Sequence, residues 1–223
     1  MNYQTGLKAA LSTLVAVLFA SSSFAEDFGK IPYAKLHEIF TRGANVKNPN
    51  VRAAVAVIAK DTNVKPAEVT LTIQAKSGPI KVPVEADGEI RSFPMKQELL
   101  KENPFVVTNQ RKGKAGIRGT IVIVPPDGMA LKYERLYELL EQANAEVKKQ
   151  AGLLSAVTPR ARTLVFQFRK PQQQTLTIGL KGGAKTLTAN AEGAIWLAMD
   201  KELLVENPTV TVSEKPSKIA VEM

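Results

Sequence analysis

The chain contains the same ten-residue phrase twice, and this constrains its fold more than any other feature. Residues 95–104 read MKQELLKENP and residues 199–208 read MDKELLVENP, identical at seven of ten positions. The match extends upstream at an offset of 105. There Leu71-Thr72-Ile73 aligns with Leu176-Thr177-Ile178, and Asp87-Gly88-Glu89-Ile90 with Glu192-Gly193-Ala194-Ile195. One residue is lost before Met199, so the phrase itself sits at an offset of 104. Further back, Tyr33-Ala34-Lys35-Leu36-His37-Glu38 matches the pattern of Tyr133-Glu134-Arg135-Leu136-Tyr137-Glu138. Two copies at so long a period do not build a solenoid, which stacks several short repeats. They predict two tandem copies of one unit, packed as a pseudo-symmetric pair in the way a homodimer would be.

Each unit carries the order helix, three strands, short helix, two strands. That order predicts an α+β fold, with an antiparallel sheet and a helix on one face. In the first unit a helix is expected to open near Pro32, with strands near 52–60, 68–75 and 79–85. A short helix over 95–102 and strands near 105–109 and 117–124 follow. In the second unit Asp127 is the expected cap of a helix running to about Lys149, in which Leu136, Leu140, Ala143 and Val147 share one face. Strands are expected over 161–169, 174–180 and 184–189, and at Ile195-Trp196-Leu197. A short helix over 199–205 and strands over 209–213 and 217–222 complete the unit. The boundaries fall at 26–125 and 126–223, and the join near Pro125–Gly128 is too short for a flexible linker.

Residues 1–25 have the order of a secretory signal peptide. Lys8 precedes an apolar run at residues 9–20, and Ser23-Phe24-Ala25 supplies the small-residue cleavage pattern, so processing is expected after Ala25. As a helix the apolar run rises about 18 Å, short of the roughly 30 Å hydrocarbon core of a bilayer. The expected location is therefore periplasmic or secreted, with no membrane span. The chain has no cysteine, which excludes disulfides, thiolate metal sites, cysteine nucleophiles and a lipid anchor on cysteine.

The strand–Asp-Gly–strand–ELLxENP–strand pattern, in tandem behind such a leader, resembles uncharacterised exported proteins of Gram-negative bacteria, classed as domains of unknown function. The resemblance implies export and a duplicated fold. It brings no activity, substrate or site residue.

The inventory for catalysis is short. His37 is the only histidine. Its counterpart is Tyr137, so the position reads as a partly buried site of aromatic size. Residues 179–186 (GLKGGAKT) fall one residue short of a phosphate-binding loop, because Ala184 replaces the second glycine. A strand also follows where that loop requires a helix, so the segment reads as a hairpin turn. Glu98, Glu102, Glu202 and Glu206 recur across the repeat. They are the only candidates for a carboxylate-based hydrolase acting on a glycan, but their place in ELLxENP suits the solvent face of a short helix, with Asn103 and Asn207 closing it. No catalytic residue, metal site or cofactor is expected.

Binding is the better-supported class. The chain carries 30 basic and 21 acidic side chains, a formal net charge of +9. Arg111, Lys112, Lys114 and Arg118 cluster in a loop expected to be mobile through Gly113, Gly116 and Gly119, and a second cluster comprises Arg160, Arg162, Arg169 and Lys170. Trp196, the only tryptophan, should lie on the strand face opposite Ile195, against the other unit or exposed as a stacking surface. The expected partner is an envelope component or another exported protein, anionic if the basic loop recognises it. An inhibitory or structural role toward another exported protein is a further alternative. No nucleic acid is expected, since no aromatic residues are interleaved with the basic ones.

Overall fold

The structure, a computed structural model, describes residues 29–152, 158–169 and 173–222. The expected leader and its cleavage site lie outside the described residues. The first half contains β1 (Lys30–Pro32), α1 (Tyr33–Ala44), β2 (Val51–Ala59), β3 (Leu71–Ala75) and β4 (Gly78–Val82). It continues with α2 (Gln97–Glu102), β5 (Phe105–Thr108) and β6 (Ala115–Ile123). The second half contains β7 (Ala130–Lys132), α3 (Tyr133–Ala151), β8 (Thr163–Gln167), β9 (Thr175–Leu180) and β10 (Gly183–Thr188). It ends with β11 (Ala194–Ala198), α4 (Lys201–Glu206), β12 (Thr209–Val212) and β13 (Lys218–Glu222). The fold is α+β, and the paired strands run antiparallel.

Three sheets form. Two have four strands, ordered β1-β5-β3-β4 and β7-β12-β9-β10, so the connectivity of one is that of the other. The third has five strands in the order β11-β8-β13-β6-β2 and crosses the join, because β13 pairs with β6 through Ile219–Ile123 and Ala220–Val122. Alternation sends Val51, Val55 and Val57 of β2, Ile121 and Ile123 of β6, and Leu164 and Phe166 of β8 into the interior. On α3, Tyr133, Leu136, Leu140, Ala143 and Val147 fall at helical spacing and are all buried. The core around α3 takes in Val51, Ile121 and Ile123 from the first half. Above it, Asn48 and Asn50 both donate to Gln142 Oε1, at 3.2 and 2.9 Å.

The repeated phrase closes each half in the same way. Asn103 and Asn207 are the C-cap residues of α2 and α4 and are left-handed, both with φ of 47°. Asparagine tolerates that conformation, and the proline after it stops the helix. Each asparagine also accepts a hydrogen bond at the start of the long helix of its half. Ala34 N–H donates to Asn103 Oδ1 at 2.9 Å, and Glu134 N–H to Asn207 Oδ1 at 3.0 Å. Beside these, Tyr33 N–H donates to Pro104 O and Tyr133 N–H to Pro208 O, at 2.8 and 2.9 Å. The phrase is thus a dock for a helix N-terminus.

That docking corrects the expected start of the second helix. It begins at Tyr133, not at Asp127, because the αL turn after α4 takes up its first N–H groups and lays residues 130–132 beside β12 as a strand. Asp127 instead pairs with Lys215 at 2.8 Å. A second correction concerns residues 111–119, expected as one mobile loop. Residues 115–119 belong to β6, which pairs with β2 along its full length, so Gly116 and Gly119 are strand residues opposite Ile58 and Val55. Only the turn before Ala115 remains a loop.

Candidate functional site

The site grows out of the Asp87-Gly88 turn. Gly88 has a φ of +79°, and a Cβ there would lie 2.7 Å from Val57 O, so only glycine fits both the conformation and the close approach. The turn returns the chain along β2. Glu89 bridges to Ala56, and Ile90 N–H donates to Val55 O at 2.7 Å. Ile90 therefore enters the core, while alternation turns Glu89 and Arg91 to the sheet's other face, where Arg52 also lies.

Glu89 is 2% exposed, and a carboxylate so placed must be paired. Arg52 pairs with it bidentately, Nη1 to Oε1 at 2.5 Å and Nη2 to Oε2 at 3.1 Å. Arg91 stands 3.8 Å away, and Lys218, reaching from β13, 3.9 Å away. Lys218 in turn donates to Asp87 Oδ2 at 2.7 Å. Burial opposes ionisation of Asp87. The hydrogen bond and charge of Lys218, the Glu89 N–H and the charge of Arg91 together outweigh it and hold its pKa below the ordinary aspartate value.

Beside this cluster a cavity of about 480 Å³ opens between the end of α1 and β2. Phe40, Val46, Ala53, Val55 and Ile90 line it on the helix side, and Arg52, Glu89 and Arg91, based on the sheet's other face at the β2 edge, also border it. Phe40 is fixed by parallel stacking on Phe93, with ring centroids 4.7 Å apart. Gly43 lets α1 settle on the strand, since a Cβ there would fall 2.9 Å from that of Ala53. The cavity exists because the residues beneath it are small. In the second half the residue facing Ile195 is Phe166, not a valine, and Leu164 lies beside it on the same face of β8. Both are buried in the α3 core. A cavity of this size falls in the range of small-molecule pockets. Its chemistry is an apolar chamber with a cationic edge.

The structure places the sequence-predicted binding residues apart. Arg111, Lys112 and Lys114 are exposed at the turn between β5 and β6, where Lys114 pairs with Asp61. Arg118 lies within β6, half-buried, and burial lowers its pKa from the ordinary arginine value. It remains charged, because guanidinium starts so high. Trp196, in the edge strand β11, is 40% exposed while Ile195 is buried, as alternation requires. Its indole N–H donates to Glu222 Oε2 at 2.7 Å, within its own half and not across the join. Alternation puts Arg118 and Trp196 on one face of the five-stranded sheet, but β13 and β8 separate their strands. In the second basic cluster Arg160 pairs with Glu141, and Lys170 lies outside the described residues.

The remaining candidates have local roles. Glu102 Oε1 accepts from Lys76 N–H at 2.6 Å and Glu206 Oε1 from Lys181 N–H at 2.7 Å, so each holds the hairpin turn beside it. Glu98 and Glu202 are exposed. His37 is half-buried, with its ring 5.8 Å from that of Tyr33. Residues 179–186 form the β9–β10 hairpin, with Leu180 opposite Gly183. Among the described residues no group of three or more His, Asp or Glu is placed to hold a metal ion, and no helix is long and apolar enough to cross a membrane.

Arg52, Glu89 and Arg91 escaped the sequence reading. A signal for two of them was present in the aligned repeat, where Glu89 stands against Ala194 and Arg91 against Trp196. A charge on a strand position that is neutral in the other copy marks a place where the copies differ in chemistry. Comparison with protein-family models, with curated proteins and with solved structures gives no match.

Proposed function

We propose that this chain is an exported, non-catalytic binding protein made of two tandem copies of one helix-plus-sheet unit, and that it holds a component of the cell envelope. Several features support the duplication. The two four-stranded sheets share one order, and the two asparagine caps and two helix docks coincide. The register between β6 and β13, continued two residues, sets Ile121 against Val221. These residues occupy like places, since Ile121 faces Ala53 and Val221 faces Leu164. A two-fold axis through that point would relate one unit to the other, as in an isologous dimer. The leader, and the resemblance to exported Gram-negative proteins, support a periplasmic location.

The observation that carries the binding reading is the cavity beside Glu89, open where the second half is packed. Two of the four carboxylates of the competing hydrolase reading have other tasks, and Glu98 and Glu202 are exposed on separate short helices. Glu102 and Glu206 hold turns, and both oxygens of Glu89 are taken by Arg52. The test is retention of envelope material by the immobilised mature chain, beside a cavity-filled Ala53→Leu/Val55→Phe variant, with bound material identified by mass spectrometry. Material held by the first and released by the second supports the reading. Equal retention by both moves the site elsewhere, and cleavage of an added glycan restores the hydrolase.

A further inference from the structure

We infer that the cavity between α1 and β2 is a site for a small amphipathic carboxylate: one apolar group in the chamber and one anionic head on Arg91. The inference rests on the binding-protein reading and names the ligand class of the same site. Three observations carry it.

The helix side of the chamber is lined by apolar side chains, and residues small for their positions keep it open. Ala53 and Val55 form its floor along β2, and Gly43 and Ala44 bring only backbone and a methyl group from the last turn of α1. Phe40, braced by Phe93, walls one side. No polar side chain enters that part, so the body of the ligand is hydrocarbon.

The rim discriminates between anions and cations. Glu89 offers nothing to a cationic ligand, because it is buried and both its oxygens are engaged by Arg52. Arg91 differs. Its side chain is 43% exposed, and its only ion pair among the described residues is the loose 3.8 Å contact with Glu89. Most of its donor fork is open to a ligand. Counting Arg52, Arg91 and Lys218 against Asp87 and Glu89, the cluster has one cation in excess. A planar guanidinium fork matches a carboxylate, which it pairs bidentately.

The same place in the other half carries none of this. Ala194 stands where Glu89 stands, Trp196 where Arg91 stands, and Phe166 takes the position of Val55 opposite the core isoleucine. At this aligned place chamber and cationic edge occur together in the first half only; the second half's own cavity, of about 360 Å³, lies elsewhere along α3, among Tyr137, Leu140, Arg160, Arg162 and Met199.

The test is calorimetric titration of the mature chain with decanoate, below its micelle concentration and at moderate salt, beside decyltrimethylammonium as a probe with the same tail and the opposite charge. Decanoate should bind with one site per chain and at least tenfold more tightly than the cation. Val55→Phe should weaken decanoate at least tenfold while thermal unfolding stays cooperative. If that variant fails to fold, Ala53→Leu serves the same purpose with a smaller insertion. Arg91→Gln should remove the preference for the anion while leaving tail-driven binding of both probes. Equal binding of the two probes, undiminished decanoate binding by the filled variant, or no decanoate binding at millimolar concentration would each overturn the inference. If envelope material is still held by the open protein and released by the filled one, the binding-protein reading stands and only the ligand class falls.

Discussion

The two halves have a like sheet order and like helix docks, and differ in what lies beneath the helix, at Ala53 and Val55 in one and at Leu164 and Phe166 in the other. In the second half α3 runs nineteen residues, and Leu140, Ala143 and Val147 meet Leu164 and Phe166 in a filled core. In the first, α1 stops after twelve, and Gly43, Ala53 and Val55 leave the space open. The difference teaches that one backbone arrangement tolerates either solution, provided the closing devices are kept. Those devices are the left-handed asparagine, the helix docked on it, and the tyrosine whose hydroxyl meets the chain before the short helix. Tyr133 Oη accepts from Asp200 N–H at 2.7 Å, and Tyr33 Oη from Lys96 N–H at 3.1 Å. With the frame held there, the middle of one unit is free to change.

The sharpest way to break this comparison is to exchange the fillings. Leu164→Ala should cost about 2–5 kcal/mol in urea denaturation, because it carves a cavity in a packed core. Ala53→Leu should change stability by less than ~1 kcal/mol, since the space already exists. An inserted leucine in a tight core would instead cost about 1–3 kcal/mol. A cost of that size would mean that the cavity closes in solution and that the halves do not differ as described.

Next in size is the charge cluster that only the first half contains. Glu89→Gln removes a buried carboxylate from beneath Arg52, Arg91 and Lys218. Breaking a fully buried pair costs about 3–5 kcal/mol. Arg52 and Arg91 are partly exposed and can turn to water, so roughly 1–3 kcal/mol is expected, read as a fall in thermal midpoint. The aligned Ala194→Gly should cost less than half as much, because it breaks no ion pair.

The shared devices should respond alike. Asn103→Ala and Asn207→Ala each force alanine into a left-handed conformation, at about 1–2 kcal/mol, and each loses a helix N-terminal hydrogen bond. The two costs should agree within about 0.5 kcal/mol, near the scatter of independent sites. Asn→Gly at either position should recover the backbone part of the loss alone. A large inequality would show that the repeated phrase does different work in the two halves.

How much of this was legible in the sequence follows from the same division. The frame was legible because it is local: ELLxENP names its helix, its asparagine stop and its proline within ten residues. Strand alternation likewise put Ile195 inside and Trp196 outside. The short strands β1 and β7 were not legible. Three residues carry no period, and their conformation is imposed by a helix start held on a turn far along the chain. The basic loop was misjudged because glycines at 116 and 119 signal turns in isolation, yet β2 offers them a full-length partner. The cavity was hidden for the opposite reason. An alanine and a valine on a strand look like ordinary core residues until the helix above them ends early. Composition pointed to Arg111–Arg118 as the densest charge, whereas the buried cluster assembles Arg52 and Lys218 from two strands and Glu89 from the segment after the Asp87-Gly88 turn.

The smallest expected effect is the pH dependence of the Asp87–Lys218 contact, which ties the first half's turn to the second half's last strand. The folded pKa of Asp87 is held below the unfolded value of about 3.9. A carboxylate with a depressed folded pKa contributes stability that is fully present above the unfolded value. The contribution is lost as pH falls through the folded one, because the unfolded chain takes up its proton first. Asp87 is partly exposed, so the contribution at pH 7 should be at most about 1 kcal/mol. Asp87→Asn should therefore be less stable than the unaltered protein at pH 6–7, and the gap should narrow below pH 4 as the wild-type carboxyl is protonated. Lys218→Met should follow the same course, and the coupling energy from the double-mutant cycle should be positive at pH 7 and fall progressively as the solution is acidified. A gap that persists unchanged into acid would mean that Asp87 acts through its hydrogen bond to Glu89 N–H rather than through its charge. The link between the halves would then rest on the β6–β13 ladder, the shared core around α3 and the polar contacts of Asn48, Asn50 and Gln142.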